Sequence, residues 1–181
     1  MPFRDVTGHR RIVELLARSI SRGALPPSLI FAGSHGTGKR QTAIAVAQVL
    51  NCTNVRGDDA CGQCAQCTRI ARGTHPDVPI LEPGETGTIK IDQIRDVVGR
   101  AAYRPFEGKR RVVIVDDAET IVAAAQNALL KTLEEPSASS VFILVTTRPD
   151  ALLPTVRSRC IRLLFVEGAR HEVDAEAAAV G

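Results

Sequence analysis

The sequence is poor in aromatic residues, which make up 3% of its 181 positions, with no Trp and one Tyr. Its core must therefore be built from Val, Ile, Leu and Ala. A surface that stacks on unpaired bases needs aromatic platforms, and this chain has few to offer. No uninterrupted apolar run approaches the ~18–20 residues of a membrane span, and Met1 to Asp5 carry no apolar signal-peptide core. A secreted, membrane or fibrous protein is disfavoured and a cytoplasmic location expected. An excess of one charge is lacking too. The 23 Lys+Arg against 20 Asp+Glu leave +3, too mild a bias to indicate nucleic acid by itself. What remains is ordinary usage, 44% hydrophobic and 24% charged. The length fits one domain with a small insertion and can bury a core without disulfides.

Along the chain, Thr7 to Arg22 reads as an amphipathic helix, with Ile12, Leu15, Leu16 and Ile20 on one side and Arg10, Arg11, Arg18 and Arg22 facing away. Gly23 and Pro26-Pro27 stop it. Leu29 to Ala32, Val78 to Leu81, Val112 to Val115 and Val141 to Thr146 read as buried strands, and Ile161 to Phe165 as a fifth. Helical segments, Lys39 to Leu50, Ile91 to Tyr103 and Ile121 to Leu133, separate them. Strand alternating with helix predicts an α/β fold on a parallel five-stranded sheet. The Ala-rich stretch 167–181 reads as a tail or truncated linker after a domain spanning 1–166.

After the first strand, Gly33, Gly36, Gly38 and Lys39 fit the G-x-x-x-x-G-K core of a phosphate-binding loop. Glycines let backbone N–H groups turn inward around a phosphate, the helix N-terminus adds positive potential, and Lys39 supplies a point charge. The next residue should be Ser or Thr, whose hydroxyl holds Mg²⁺, and here it is Arg40. A guanidinium ~5 Å from Mg²⁺ at an effective dielectric of ~20 costs several kcal/mol. Swinging Arg40 outward would avoid that cost without replacing the lost ligand, and Thr42 is badly placed to do so. The segment RVVIVDDAE, Arg111 to Glu119, is an apolar strand ending in an acid. Asp116 is placed to hold Mg²⁺ through water. Asp117 stands where ATPases with this arrangement usually carry a Glu that polarises the attacking water, and a ~1 Å misplacement there can cost ~10²-fold in rate. The expectation is a nucleotide-binding fold in which ATP and Mg²⁺ binding is weakened and hydrolysis is weak or absent.

Four of the five cysteines, Cys52, Cys61, Cys64 and Cys67, fall within sixteen residues. An odd total without an export signal argues against a disulfide framework. The C-x8-C-x2-C-x2-C spacing fits a tetrahedral structural Zn²⁺ site with no position left open for catalysis. A redox C-x-x-C needs only two of them, and simply buried cysteines fit poorly with so polar a segment. The site forms a module over 51–72 inserted in the domain. His75 is close enough in sequence to count as a further ligand, but reads better as a capping or packing residue of the GTHPD loop.

Taken together, these features resemble the AAA+ domain of bacterial DNA polymerase III clamp-loader subunits, from Gly8 to about Phe165. The resemblance is carried by Gly8-His9, the phosphate loop, the cysteine module, NALLKTLEEP (Asn127 to Pro136), TTRPD (Thr146 to Asp150) and SRC (Ser158 to Cys160). The degraded phosphate loop and the Gly73 to Arg95 stretch are more similar to the delta-prime type than to the gamma/tau motor type. The resemblance implies that Arg159 is an arginine finger, acting in trans on a neighbouring motor subunit's ATP. It places Thr147, beside Thr146, at the sensor-1 position. It puts the NALLKTLEEP helix, with Lys131, Glu134 and Glu135, beside a subunit interface, and makes Cys160 a packed rather than chemical thiol. It further implies a stator role in loading the sliding clamp onto primed DNA. The partners would be a gamma/tau-like motor and a delta-like subunit, with the clamp reached indirectly and primer-template DNA through the assembly. The family continues into helical lid and collar domains, so the resemblance implies either a fragment or an unusually short protein. An active gamma/tau-type motor ATPase and a zinc-stabilised interaction module are the alternatives.

Overall fold

The computed structural model describes residues 1–167. The stretch read as a tail lies, beyond Glu167, outside the described residues. After a short 3-10 turn, Phe3–Asp5, the chain forms α1 (Arg10–Ser21), β1 (Ser28–Gly33), α2 (Lys39–Asn51), α3 (Ala65–Ala71), β2 (Ile80–Leu81), α4 (Ile91–Ala101) and β3 (Arg111–Val115). A 3-10 turn, Ala118–Thr120, leads to α5 (Ala123–Glu134) and β4 (Ser140–Thr146). Another, Pro149–Ala151, leads to α6 (Pro154–Arg157) and β5 (Ile161–Phe165). The five strands form one parallel sheet in the order β2-β3-β4-β1-β5.

Side chains alternate across the sheet, and each face meets its own layer of helices. Leu29 and Phe31 of β1, Val112 and Ile114 of β3, and Val141, Ile143 and Val145 of β4 point to one side. There they pack with Leu16 of α1, Ala43, Ala45, Val46 and Ala47 of α2, and Ile70 of α3. Ile30, Ala32, Val113, Val115, Phe142 and Leu144 point to the other, against Ile94 and Val97 of α4, Ala125 and Leu129 of α5, and Val156 of α6. A one-residue slip of any central strand would exchange its two apolar sets, so the register Ser28↔Phe142 through Ala32↔Thr146 is strongly specified. Cys52, Cys61 and Cys67 belong to the first of these cores, so the cysteine module is built into the domain's packing.

Several elements differ from expectation for local reasons. α1 starts at Arg10 rather than Thr7 because Gly8 and His9 both take positive φ, 76° and 52°, which cannot continue a right-handed helix. Leu15 is exposed, since Ile12, Val13, Leu16, Ala17 and Ile20 form the apolar stripe and position 15 falls outside it. β2 shrinks to two half-buried residues at the sheet edge. Pro79 cannot donate to a ladder, although the Asp77 and Pro79 carbonyls still accept from Val112 and Ile114 of β3. β5 forms the opposite edge and leaves Ile161 and Leu164 exposed. α4 stops at Ala101, ahead of Arg104-Pro105. No described helix is long and apolar enough to cross a membrane.

Candidate functional site

The carboxyl ends of β1, β3 and β4, adjacent in the sheet, open onto a cavity of about 280 Å³. The turn after β1 needs glycine at two places: Gly36 and Gly38 have φ of 74° and 84°, a region that costs other residues strain. Gly38 caps α2, so the free N–H groups of its first turn face the cavity. Gly36, Gly38, Lys39, Arg40, Asp116, Asp117 and Thr147 all line it. Gly33 does not. Its role is steric, because a Cβ there would come within 2.1 Å of the Phe165 carbonyl oxygen where β1 pairs with β5.

Two charges of the cavity, Arg40 and Asp116, are already paired with each other. The Lys39 ammonium donates to the Ser34 carbonyl and to Thr37 Oγ1 at 3.2 Å. Its pKa is lowered by burial, against the opposing pull of Asp116, Glu119 and Asp117. Arg40 does not swing outward. Its Nη1 donates to Asp116 Oδ2 at 2.8 Å and to Glu82. Burial opposes the charge, but the bonds to Asp116 and Glu82 outweigh it and raise the guanidinium pKa. Thr42 bonds back to the Gly38 carbonyl at 2.8 Å and does not reach the cavity. Asp117 takes a left-handed φ of 48°. Burial, then the Asp116 and Glu119 charges, raise its pKa.

At the end of β4, Thr146 Oγ1 and Thr147 Oγ1 both donate to the Glu119 carboxylate, at 2.7 and 3.0 Å. Glu119, Glu82 and Ser34 were not singled out from sequence. Glu119 ends the acidic DDAE run, and that was the signal for it. Glu82 follows a two-residue strand, and only the β2–β3 pairing brings it to Arg40.

The four cysteine sulfurs come together apart from this cavity, all within 4.8 Å of one another. That spacing suits four ligands around an ion with ~2.3 Å Zn–S bonds. Backbone amides point at the sulfurs: Asn54 and Cys61 at Cys52 Sγ, both 3.3 Å, and Cys64 at Cys61 Sγ, 3.2 Å. Cys64 caps α3 and accepts from the Cys67 amide at 3.4 Å. Burial works against its ionisation, but the amides of Cys67 and Thr53 favour the thiolate more and bring its pKa down to about 5. His75 is not part of the cluster. Its Nδ1 accepts from the Asp77 amide at 3.0 Å, which leaves the proton on Nε2 for Gln66 Oε1.

Arg159 does not line the cavity. It lies just before β5, donates to the Thr155 carbonyl at 2.7 Å and pairs with Glu134 at the end of α5. Cys160 packs against the α4–α5 core, and burial pushes its thiol up to about 11.

The sequence profile described as "DNA polymerase III, delta subunit" matches residues 8–168. The chain belongs to that family. Within it the chain is delta-prime-like: it is 44% identical over 131 residues to DNA polymerase III subunit delta' of Pseudomonas aeruginosa, covering 72% of this chain and 40% of that protein. It is also 34% identical over 176 residues to subunit tau of Escherichia coli, covering 95% of this chain and 27% of tau. The chain thus spans well under half the length of these relatives. Among solved structures it resembles a DNA polymerase III gamma subunit-related protein of Thermotoga maritima, with TM-score 0.64, 28% identity, and coverage of 83% of this chain and 44% of that one. The RuvB Holliday junction branch migration motor of the same organism, at TM-score 0.54 and 17% identity, covers 88% of this chain and 45% of RuvB, and shows a shared AAA+ fold alone. In this delta-family chain the glycine-rich loop, Asp116, Asp117 and the β4 threonines converge on one cavity, while the cysteine cluster and Arg159 stand at two separate places.

Proposed function

We propose that this chain is the AAA+ part, residues 1–166, of a clamp-loader stator that hydrolyses little or no ATP itself. The Arg40–Asp116 ion pair carries the reading. Asp116 is the carboxylate a nucleotide-bound Mg²⁺ would need, and a cation already sits on it in place of the missing Ser or Thr hydroxyl. Lys39, Gly33, Gly36 and Gly38 remain a phosphate cradle, with Asp117 and Thr147 at its rim. Arg159 is the finger. It is 31% exposed at the side chain and held by a single carboxylate, so a neighbouring subunit's phosphoryl group can compete for it. The four cysteines fit a structural Zn²⁺, which would cross-link the end of α2 to the start of α3. The partners are a gamma/tau-like motor and a delta-like subunit, with the sliding clamp and primed DNA engaged through the assembly.

Two measurements test this. The purified chain with labelled ATP and Mg²⁺ should show no steady turnover, and turnover would favour a gamma/tau-type motor instead. In a reconstituted loader, Arg159→Ala should cut hydrolysis at the neighbouring site by about 10³-fold or more, the range of fingers supplied in trans, while lowering this chain's melting temperature by no more than about 4 °C, the worth of an exposed ion pair. Unaltered DNA-stimulated hydrolysis would remove the finger assignment.

A further inference from the structure

The aromatic residues are few, and they are unevenly placed. Of the five Phe and one Tyr, Phe3, Phe31, Phe142 and Phe165 are buried, while Tyr103 and Phe106 are 74% and 82% exposed. Both lie on the loop between α4 and β3, beside a cavity that Pro76 and Arg100 also line. A loop with two large apolar side chains in water needs fastening from beneath, and the fastening comes from the cysteine module and from Asp77, which the module reaches through His75. Asn51, next to Cys52, accepts from the Lys109 and Arg110 amides at 2.9 and 3.0 Å. The Lys109 ammonium donates to the Cys52 carbonyl at 2.8 Å. From α3, the helix carrying Cys67, Arg69 pairs with Glu107 and Gln66 with His75. His75 in turn orients Asp77, whose carboxylate accepts from the Phe106, Glu107 and Gly108 amides at 2.6, 2.9 and 2.7 Å. Even the loop's glycine is fitted to this contact, since a Cβ on Gly108 would meet Asn51 Oδ1 at 2.5 Å.

At seven residues, α3 is too short to hold itself as a helix. Its position depends on its packing and on whatever joins Cys64 and Cys67 to Cys52 and Cys61. We propose that the metal site acts as a brace for the 102–110 loop. With the four sulfurs joined, α3 and Asn51 hold the loop and present Tyr103 and Phe106 in one arrangement; with the metal removed, the loop is released while the sheet stays folded. This inference rests on the zinc reading of the four cysteines.

Metal content and backbone hydrogen exchange, measured on the same purified chain before and after a chelator, test the two separately. One zinc per chain is expected. Stripping it should speed exchange at Phe106, Glu107, Gly108 and Lys109 at least tenfold while the β4 amides of Ile143 and Leu144 stay protected. Emission anisotropy of Tyr103, the single Tyr in a chain without Trp, should fall in step. A loop that stays equally protected after stripping overturns the brace and leaves the zinc site standing. A chain isolated without metal removes the zinc reading and the brace with it. If stripping exposes β4 as well, the Gln66→Ala, Arg69→Ala double variant decides with zinc still bound. Faster exchange at the four loop amides supports the brace, and unchanged exchange overturns it.

Discussion

Arg40 is the residue on which the proposed phosphate cradle turns. The backbone of the cradle is intact, with Gly36 and Gly38 in the conformations the turn requires and Lys39 at the start of α2. Position 40 delivers a positive charge to Asp116, the carboxylate that the proposed site would offer to a metal. Arg40→Thr removes the guanidinium from Asp116 and Glu82 and restores a hydroxyl to the first turn of α2. Calorimetric titration with ATP should then show affinity at least tenfold higher in Mg²⁺ than in EDTA for the variant, and no such difference for the unmodified chain. Equal Mg²⁺ responses would mean that Arg40 is not what excludes the metal. At this scale the sequence was informative about presence and blind to direction. The missing hydroxyl is legible at position 40, but whether the guanidinium turns in or out depends on Glu82 and Asp116, which lie 42 and 76 positions away.

At the scale of elements, the three central strands and their covering helices follow from apolar pattern because their packing is two-sided and unambiguous. The edges were less legible. β2 lost half its expected length to Pro79, and its place is kept by Asp77, a buried carboxylate that joins the start of this edge to the 106–108 amides and, at 3.4 Å, to the buried Arg111 of β3. Such a long-range anchor has no periodic signature, so GTHPD reads from sequence only as a turn. Burial opposes ionisation of Asp77, but the amides of Glu107, Gly108 and Phe106, together with Arg111, outweigh it and lower its pKa below the usual 3.8. The folded state therefore gains stability from this group at pH values above 3.8. As pH falls below that value the unfolded chain takes up the proton first, and the contribution is lost as pH drops through the folded pKa. Asp77→Asn should lower stability at pH 7 by about 3–5 kcal/mol, the cost of leaving Arg111 buried and unpaired. It should also flatten the difference in urea midpoint between pH 5 and pH 3 relative to the unmodified chain. Equal pH slopes in the two proteins would show that Asp77 is not the responsible carboxylate.

At the scale of the whole molecule, the functional pieces face different ways: cavity at the carboxyl edge of the sheet, cysteine module on the α1–α2 side, Arg159 at the junction of α6 and β5. That separation fits the stator proposed above, in which the cavity would be quiet and Arg159 would act on a neighbour. It also makes the resting partner of Arg159 important. Glu134 and Arg159 are both partly exposed, and they join α5 to the segment before β5. An exposed pair of this kind is worth roughly 0.2–1 kcal/mol and weakens with salt. If Arg159 is the finger proposed above, it must leave Glu134 to reach a phosphoryl group across an interface, and that small cost is subtracted from its effect. Glu134→Gln should therefore raise hydrolysis by the neighbouring motor by at most about fivefold, since ~1.4 kcal/mol corresponds to tenfold. The gain should shrink as salt is raised and should vanish when Arg159→Ala is already present. Steady-state hydrolysis in a reconstituted loader, measured for both single variants and the double at two salt concentrations, reads this coupling directly. An effect of Glu134→Gln that persists without Arg159 would assign Glu134 to the interface itself, and the pair would then have no part in holding the finger.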